Sequence, residues 1–170
     1  ETKNDLLNWH DLCKKDDNIN ESVEIAIVGK YVSLKDAYIS IYEALHHSEK
    51  VNNVNVKIRW IDSEILEKKN AEKILDGIDG MIVPGGFGNR GIEGMINALK
   101  YARENNIPCL GICLGMQLMV IEFMRNVVGL KDANSLEFSS TTKNPVINIM
   151  EDQINVENKG GTMRLGKYPC

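Results

Sequence analysis

Ile107-Pro108-Cys109-Leu110-Gly111-Ile112-Cys113-Leu114-Gly115-Met116-Gln117 carries the chain from one periodicity into another. Residues 107–112 form an apolar run of strand length, and residues 115–128 place apolar side chains at helical spacing. The junction, Gly111-Ile112-Cys113-Leu114-Gly115, is a cysteine form of the Gly-x-nucleophile-x-Gly elbow, where a strand turns at once into a helix. Glycines on both sides give that crowded bend its room. The pentapeptide alone also fits a buried structural cysteine between helix-ending glycines, because free cysteine is commonly buried.

Upstream, the same alternation repeats. Val23 to Val28 reads as a buried strand closing at Gly29, and Asp36 to Ser48 as a helix that Asp36 could cap. Val54 to Ile61 alternates as a strand, Ile65 to Leu75 is helical, Gly80 to Pro84 is a short strand, and Ile92 to Glu104 is helical. Strand and helix in this order predict an α/β fold: three layers, with a mostly parallel central sheet flanked by helices. Such sheets bind ligands beyond the carboxyl ends of their strands. Three ends stand out, Gly29-Lys30-Tyr31, Pro84-Gly85-Gly86-Phe87-Gly88 and the cysteine elbow, so the site is expected where they meet. Leu6, Leu7, Trp9, Leu12 and Cys13 fit a short amphipathic helix followed by a polar stretch to Ser22. Residues 1–21 therefore read as a connector helix and linker, or as a helix on the domain's own surface, and residues 22–170 as the main domain.

The 170 residues fit one domain with one continuous core. Hydrophobic residues at 43% and charged residues at 26% describe a globular chain, and a net charge of −4 supplies no basic footprint for nucleic acid. No apolar run approaches the roughly 20 residues that cross a bilayer. Four cysteines are too few for a disulfide scaffold of this length, which fits a reducing, cytoplasmic setting. Cys109 and Cys113 have the spacing of a metal or redox pair. Cys109 lies within a strand and no histidine cluster is near, so no metal site is expected.

The chemistry concentrates on Cys113. A thiol at the start of a helix meets the positive end of the macrodipole, which favours a thiolate. The Leu114 N–H would face an oxyanion formed by attack on a carbonyl. In Gly85-Gly86-Phe87-Gly88, consecutive glycines leave backbone N–H groups open to an anionic oxygen. Neither Gly-x-Gly-x-x-Gly nor the Walker spacing occurs there, so a phosphate loop fits poorly. A second oxyanion donor, the Gly86 N–H, fits better, although an ordinary glycine-rich turn fits too.

Gly-Ile-Cys-Leu-Gly-Met-Gln (111–117), preceded by Pro-Gly-Gly-Phe-Gly (84–88), resembles the class I, triad-type glutamine amidotransferases. Three further stretches resemble the branch of that family that serves a nucleotide synthase domain. They are Val28-Gly29-Lys30-Tyr31 with Asp36-Ala37-Tyr38, Asp132 to Phe138, and Gly160 to Gly166. The resemblance runs from Trp9 to Gly166 and implies a flavodoxin-like fold that is C-terminally incomplete. It implies that Cys113 attacks the side-chain amide of glutamine while the Gly86 and Leu114 N–H groups hold the oxyanion. It places Gly85, Phe87, Gln117 and Glu137 at the substrate. Phe87 lines the pocket or belongs to the core; Glu137 grips the α-ammonium of glutamine or is an exposed loop charge. Ammonia would serve a glutamine-hydrolysing ligase whose synthase domain aminates UTP to CTP with ATP and Mg, GTP being an effector. That domain would also carry a homo-oligomer. Roles for Lys30, Tyr31 and Arg164 do not follow from the sequence; a domain interface, the effector site or a turn are all open. Another cysteine hydrolase of this fold, such as a γ-glutamyl hydrolase, and a non-catalytic regulatory module are the competing readings.

One departure stands out. The family's general base is a histidine oriented by a glutamate in a His-Pro-Glu segment, and residues 1–170 contain none. The histidines are His10, His46 and His47, and none is nominated, since no acid is expected beside His46 or His47 in a triad-like arrangement. Residues 1–170 alone are therefore expected to hydrolyse glutamine poorly or not at all, and to leave part of the sheet uncovered.

Overall fold

The computed structural model describes residues 21–149. Residues 1–20 of the expected connector, with His10, and the Gly160–Gly166 segment, with Arg164, lie outside the described residues. Strand β1 (Ser22–Gly29) leads through a 3-10 turn (Lys35–Tyr38) into helix α1 (Ile39–Asn52) and strand β2 (Asn55–Asp62). Two short helices, α2 (Ile65–Lys68) and α3 (Ala71–Leu75), precede strand β3 (Gly80–Val83). Helix α4 (Ile92–Glu104), strand β4 (Cys109–Gly111) and helix α5 (Leu114–Phe123) follow, and α5 widens into a π turn at Met124–Val128. Strands β5 (Ala133–Ser135) and β6 (Asn144–Ile147) complete the described chain.

The main sheet is parallel, with strand order β2-β1-β3-β4. The β1-α1-β2 crossover covers one face and the later helices the other, so strand order reverses between β1 and β3. That reversal is where open α/β sheets bind ligands. The pleat of β1 divides two cores. Ala26 and Val28 face a large cluster with Met81, Val83, Leu99, Leu114, Leu118 and Ile121, while Ile27 faces a smaller one with Ile82, Tyr38, Leu45 and Trp60. The expected three-layer α/β fold is present.

Two expectations are corrected, and one ladder was not foreseen. Asp36 does not cap α1: the 3-10 turn displaces the start to Ile39, and Tyr38 occupies the cap with no side-chain hydrogen bond. The single helix expected over Ile65 to Leu75 is two, because Lys69 is extended and the Asn70 side chain accepts the Glu72 N–H at 2.9 Å, starting a new helix. The parallel β5–β6 ladder was not expected, since its strands are short and only Val146 and Ile147 in them are large and apolar. It is pinned by Asp132, whose carboxylate accepts from the Lys143 N–H at 3.1 Å and from the Asn144 side chain.

Among the described residues, β4 is an edge of the main sheet, and Leu110, Met116, Val120, Phe123 and Val127 are exposed beside it. No helix among the described residues is long and apolar enough to cross a membrane.

Candidate active site

The carboxyl ends of β1, β3 and β4 converge, and the elbow after β4 sets the geometry there. The Ile112 N–H donates to the Val83 carbonyl at 2.9 Å, extending the β3–β4 pairing one residue past the strand. The chain then reverses at Cys113, with φ 53° and ψ −106°, a conformation that side chains disfavour. From there the helix begins: Gly115 N–H donates to the Ile112 carbonyl at 2.9 Å and Gln117 N–H to the Cys113 carbonyl at 3.2 Å. A Cβ on Gly115 would lie 2.0 Å from the Val83 carbonyl oxygen, and one on Gly111 would lie 2.6 Å from the Met116 nitrogen. Both flanking glycines are therefore sterically required.

This bend lifts Cys113 to the surface while Leu114 and Gly115 are buried beneath it. The interior alternative for Cys113 is excluded. Leu114 is the first residue of α5, so its N–H has no carbonyl one turn earlier within the helix. The double-glycine loop faces the cysteine: a Cβ on Gly85 would stand 3.5 Å from Cys113 Cβ and 3.9 Å from its Sγ. Gly86 packs against Leu114, where a Cβ would be 3.5 Å from the leucine Cδ2. Gly85 and Gly86 thus lie beside the thiol and the residue that follows it, the place from which backbone donors would have to meet a tetrahedral oxyanion.

The other expected residues lie on α5, just after β5 and in the glycine loop. Gln117 is half-buried one turn along α5 from Cys113, on the same side of the helix. Glu137 is half-buried, its N–H donating to the buried Ser135 hydroxyl at 3.1 Å, and its charge acts on Lys30. Arg125 holds β5 in place for it, with Nε on the Ala133 carbonyl at 2.7 Å and Nη1 on Glu93 at 2.8 Å. Phe87 is 49% exposed, so it does not belong to the core.

Lys30 and Tyr31, which sequence reasoning flagged without a role, reach into the glycine loop. Lys30 Nζ donates to the Phe87 carbonyl at 3.1 Å and to the Gly88 carbonyl, and the Tyr31 hydroxyl accepts the Phe87 N–H at 3.3 Å. The signal was their position at a strand end, but only packing shows which loop they hold. His46 Nδ1 lies 2.8 Å from the Glu49 carboxylate one turn along α1, a local pair within the crossover helix. Tyr42 stacks on the His46 ring. Among the described residues there is no group of three or more His, Cys, Asp or Glu side chains placed to hold a metal ion.

An exposed cysteine on a strained strand-to-helix bend, with a glycine loop beside it, defines a class, and comparison with known proteins supports it. Residues 33–170 match the family "Glutamine amidotransferase class-I", and the chain belongs to that family. Its similarity is to one branch in particular. The CTP synthase of Caldanaerobacter subterraneus subsp. tengcongensis is 55% identical over 168 residues, spanning 99% of this chain and 31% of that protein. The CTP synthase of Thermococcus gammatolerans is also 55% identical, over 99% of this chain and 32% of its own length. Among solved structures, the glutaminase domain of Trypanosoma brucei CTPS with bound acivicin matches with a TM-score of 0.72 and 48% identity, over 76% of this chain and 51% of that one. The chain thus spans about a third of the length of the curated relatives it matches.

Proposed function

We propose that this chain is the glutaminase part of a CTP synthase and that Cys113 is its nucleophile. The observation that carries the reading is the exposed Cys113 at φ 53° with the Gly85–Gly86 loop facing it. The Cys113 thiolate attacks the side-chain carbonyl carbon of glutamine, and the negative charge on the carbonyl oxygen is met by the Gly86 and Leu114 N–H groups. The C–N bond then breaks, the nitrogen takes a proton and leaves as ammonia, and a γ-glutamyl thioester remains. Water attacks the thioester, releasing glutamate and regenerating the thiolate.

Gln117 and Glu137 grip the amino-acid end, the carboxylate of Glu137 pairing with the α-ammonium of glutamine. Gly85 and Phe87 line the mouth. The family's proton-transferring histidine lies in a His-Pro-Glu segment that residues 1–170 lack, so the base would be supplied by another part of the polypeptide. Ammonia passes to a synthase domain of the same polypeptide, cytoplasmic and oligomeric through that domain. UTP amination with ATP and Mg takes place there, and GTP acts as effector. The similarity to CTP synthases, which favours Gln117 and Glu137 as substrate contacts, speaks against a γ-glutamyl hydrolase.

A glutamine-like chloroketone tests the reading. Mass spectrometry of the full polypeptide carrying this chain should place the label on Cys113, and excess glutamine should protect it. Labelling elsewhere, or no protection, refutes the proposal.

A further inference from the structure

The Gly85–Gly88 loop is too glycine-rich to hold its own peptide planes, yet a donor in an oxyanion hole must be aimed before the charge develops. Something outside the loop has to fix it. Phe87 is half exposed and no residue within the loop supplies a side-chain hydrogen bond. The contacts that do fix it come from the end of β1, across the point where strand order reverses.

Lys30 is only 2% exposed. Its Nζ reaches two successive carbonyls, Phe87 and Gly88, just beyond Gly86. Its stem passes beside Gly86 itself, where a Cβ would stand 3.3 Å from Lys30 Cδ and 3.6 Å from the Tyr31 ring. Tyr31 completes the clamp by accepting the Phe87 N–H. Three backbone groups within two residues of the loop, the Phe87 N–H and the Phe87 and Gly88 carbonyls, are therefore taken by two adjacent side chains.

The clamp is itself anchored. The Tyr38 hydroxyl accepts the N–H groups of both Lys30 and Tyr31, at 3.2 and 3.3 Å, from within the smaller core. Arg90 Nη2 donates to the Lys30 carbonyl at 2.5 Å, its guanidinium lies 5.9 Å from the Tyr31 ring centre, and its other arm pairs with Glu64 at 2.5 Å. Burial draws the Lys30 ammonium below its ordinary range, the Arg90 charge adds to this, and the Glu137 carboxylate opposes both. A buried ammonium is expensive unless its hydrogen bonds are satisfied, so its placement on two loop carbonyls is a specific arrangement.

We infer that Lys30 and Tyr31 are positioning residues that hold the Gly85–Gly88 loop so that the Gly86 N–H is aimed at the oxyanion formed on Cys113. The inference rests on the reading of Cys113 as the glutaminase nucleophile. Neither residue takes part in bond making; both act through the loop. The consequence is specific. Loosening the clamp weakens stabilisation of a charge that exists only after attack on a carbonyl. It leaves the thiol's intrinsic reactivity in place and disturbs glutamine binding less than turnover, because Gln117 and Glu137 lie outside the loop.

The test uses the full polypeptide carrying this chain, with two reactions of Cys113 compared: glutamine hydrolysis, and alkylation by iodoacetamide, which displaces iodide from a saturated carbon and develops no oxyanion. Cys113→Ala comes first; if it still hydrolyses glutamine, the nucleophile reading fails, whatever Lys30 does. With that established, Lys30→Met keeps the stem and removes the donor. Its kcat should fall about 100-fold, KM should change less than about threefold, and the alkylation rate should stay within about twofold. Tyr31→Phe, which removes one partially exposed contact, should lower kcat about fivefold with alkylation unchanged. A Lys30→Met kcat within about threefold of the parent overturns the inference, as does a parallel loss of hydrolysis and alkylation. Where Lys30→Met does not fold, Tyr31→Phe decides alone, and an unchanged kcat overturns it.

Discussion

Gly115 lies so close to the backbone of Val83 that a Cβ on it would stand 2.0 Å from the Val83 carbonyl oxygen and 2.8 Å from the carbonyl carbon. The first turn of α5 is therefore seated directly on the end of β3, and the atom it meets is backbone, which cannot rotate away. Gly115→Ala should push α5 off the sheet and cost about 3 kcal/mol, the upper part of the range for overpacking. The urea midpoint should fall and Cys113 alkylation should change, because the elbow moves with the helix. A midpoint unchanged by the alanine would show that the contact is not as close as described.

The backbone at Cys113 offers a second test. At φ 53° and ψ −106° a side chain is strained, and glycine is not. Of two inactive variants, Cys113→Gly should be more stable than Cys113→Ala by about 1–2 kcal/mol, the reverse of the usual order near a helix. Equal stabilities, read from paired urea curves, would remove the claim that the elbow holds its cysteine under strain.

The other described cysteine should behave in the opposite way. Burial pushes the Cys109 thiol up from 9.0 to about 11. At pH 8 it should resist iodoacetamide in the folded protein while Cys113 reacts, as peptide mapping can resolve. Its ionisation also couples to folding. The unfolded chain loses this proton near pH 9 and the folded chain does not, so stability is intact below about pH 9 and declines as pH rises towards 11, by roughly 2 kcal/mol at most. Cys109→Ala should flatten that alkaline decline. An identical pH slope in the variant would assign the decline to other groups.

Helices α4 and α5 are joined by a carboxylate under cover. Glu122 is 3% exposed; Arg103 Nε lies 3.0 and 3.1 Å from its two oxygens, and the Asn126 amide adds a bond at 3.2 Å. Arg103→Met would leave that carboxylate buried without its cation and should cost about 2 kcal/mol, discounted because the arginine is partly exposed. Adding Glu122→Leu should recover most of the loss. A double variant no more stable than Arg103→Met would contradict this account of the pair.

The layered fold was legible because β1, β3 and β4 are short apolar runs alternating with amphipathic helices, and α4 was read to its residue limits. The elbow was legible from Gly111 and Gly115, whose close contacts leave no other residue type. Boundaries failed where a local side chain competed with the helix, as Asn70 does in splitting residues 65–75. The β5–β6 ladder was missed because its order comes from Asp132, Thr142 and Asn144 bridging across the turn, not from hydrophobic alternation. Lys30 was visible as a residue at a strand end. Its hold on Phe87 and Gly88 joins positions more than fifty residues apart, and no local pattern encodes that.

The central claim is that Cys113 becomes covalently bonded to the substrate. Acid-quenching the full polypeptide carrying this chain during turnover with isotopically labelled glutamine, then digesting and mapping, tests it directly. The account predicts a γ-glutamyl thioester on the peptide containing Cys113, sensitive to hydroxylamine and absent from Cys113→Ala. Glutamate release that continues with Cys113 unmodified, or a glutamyl group on another residue, would contradict it.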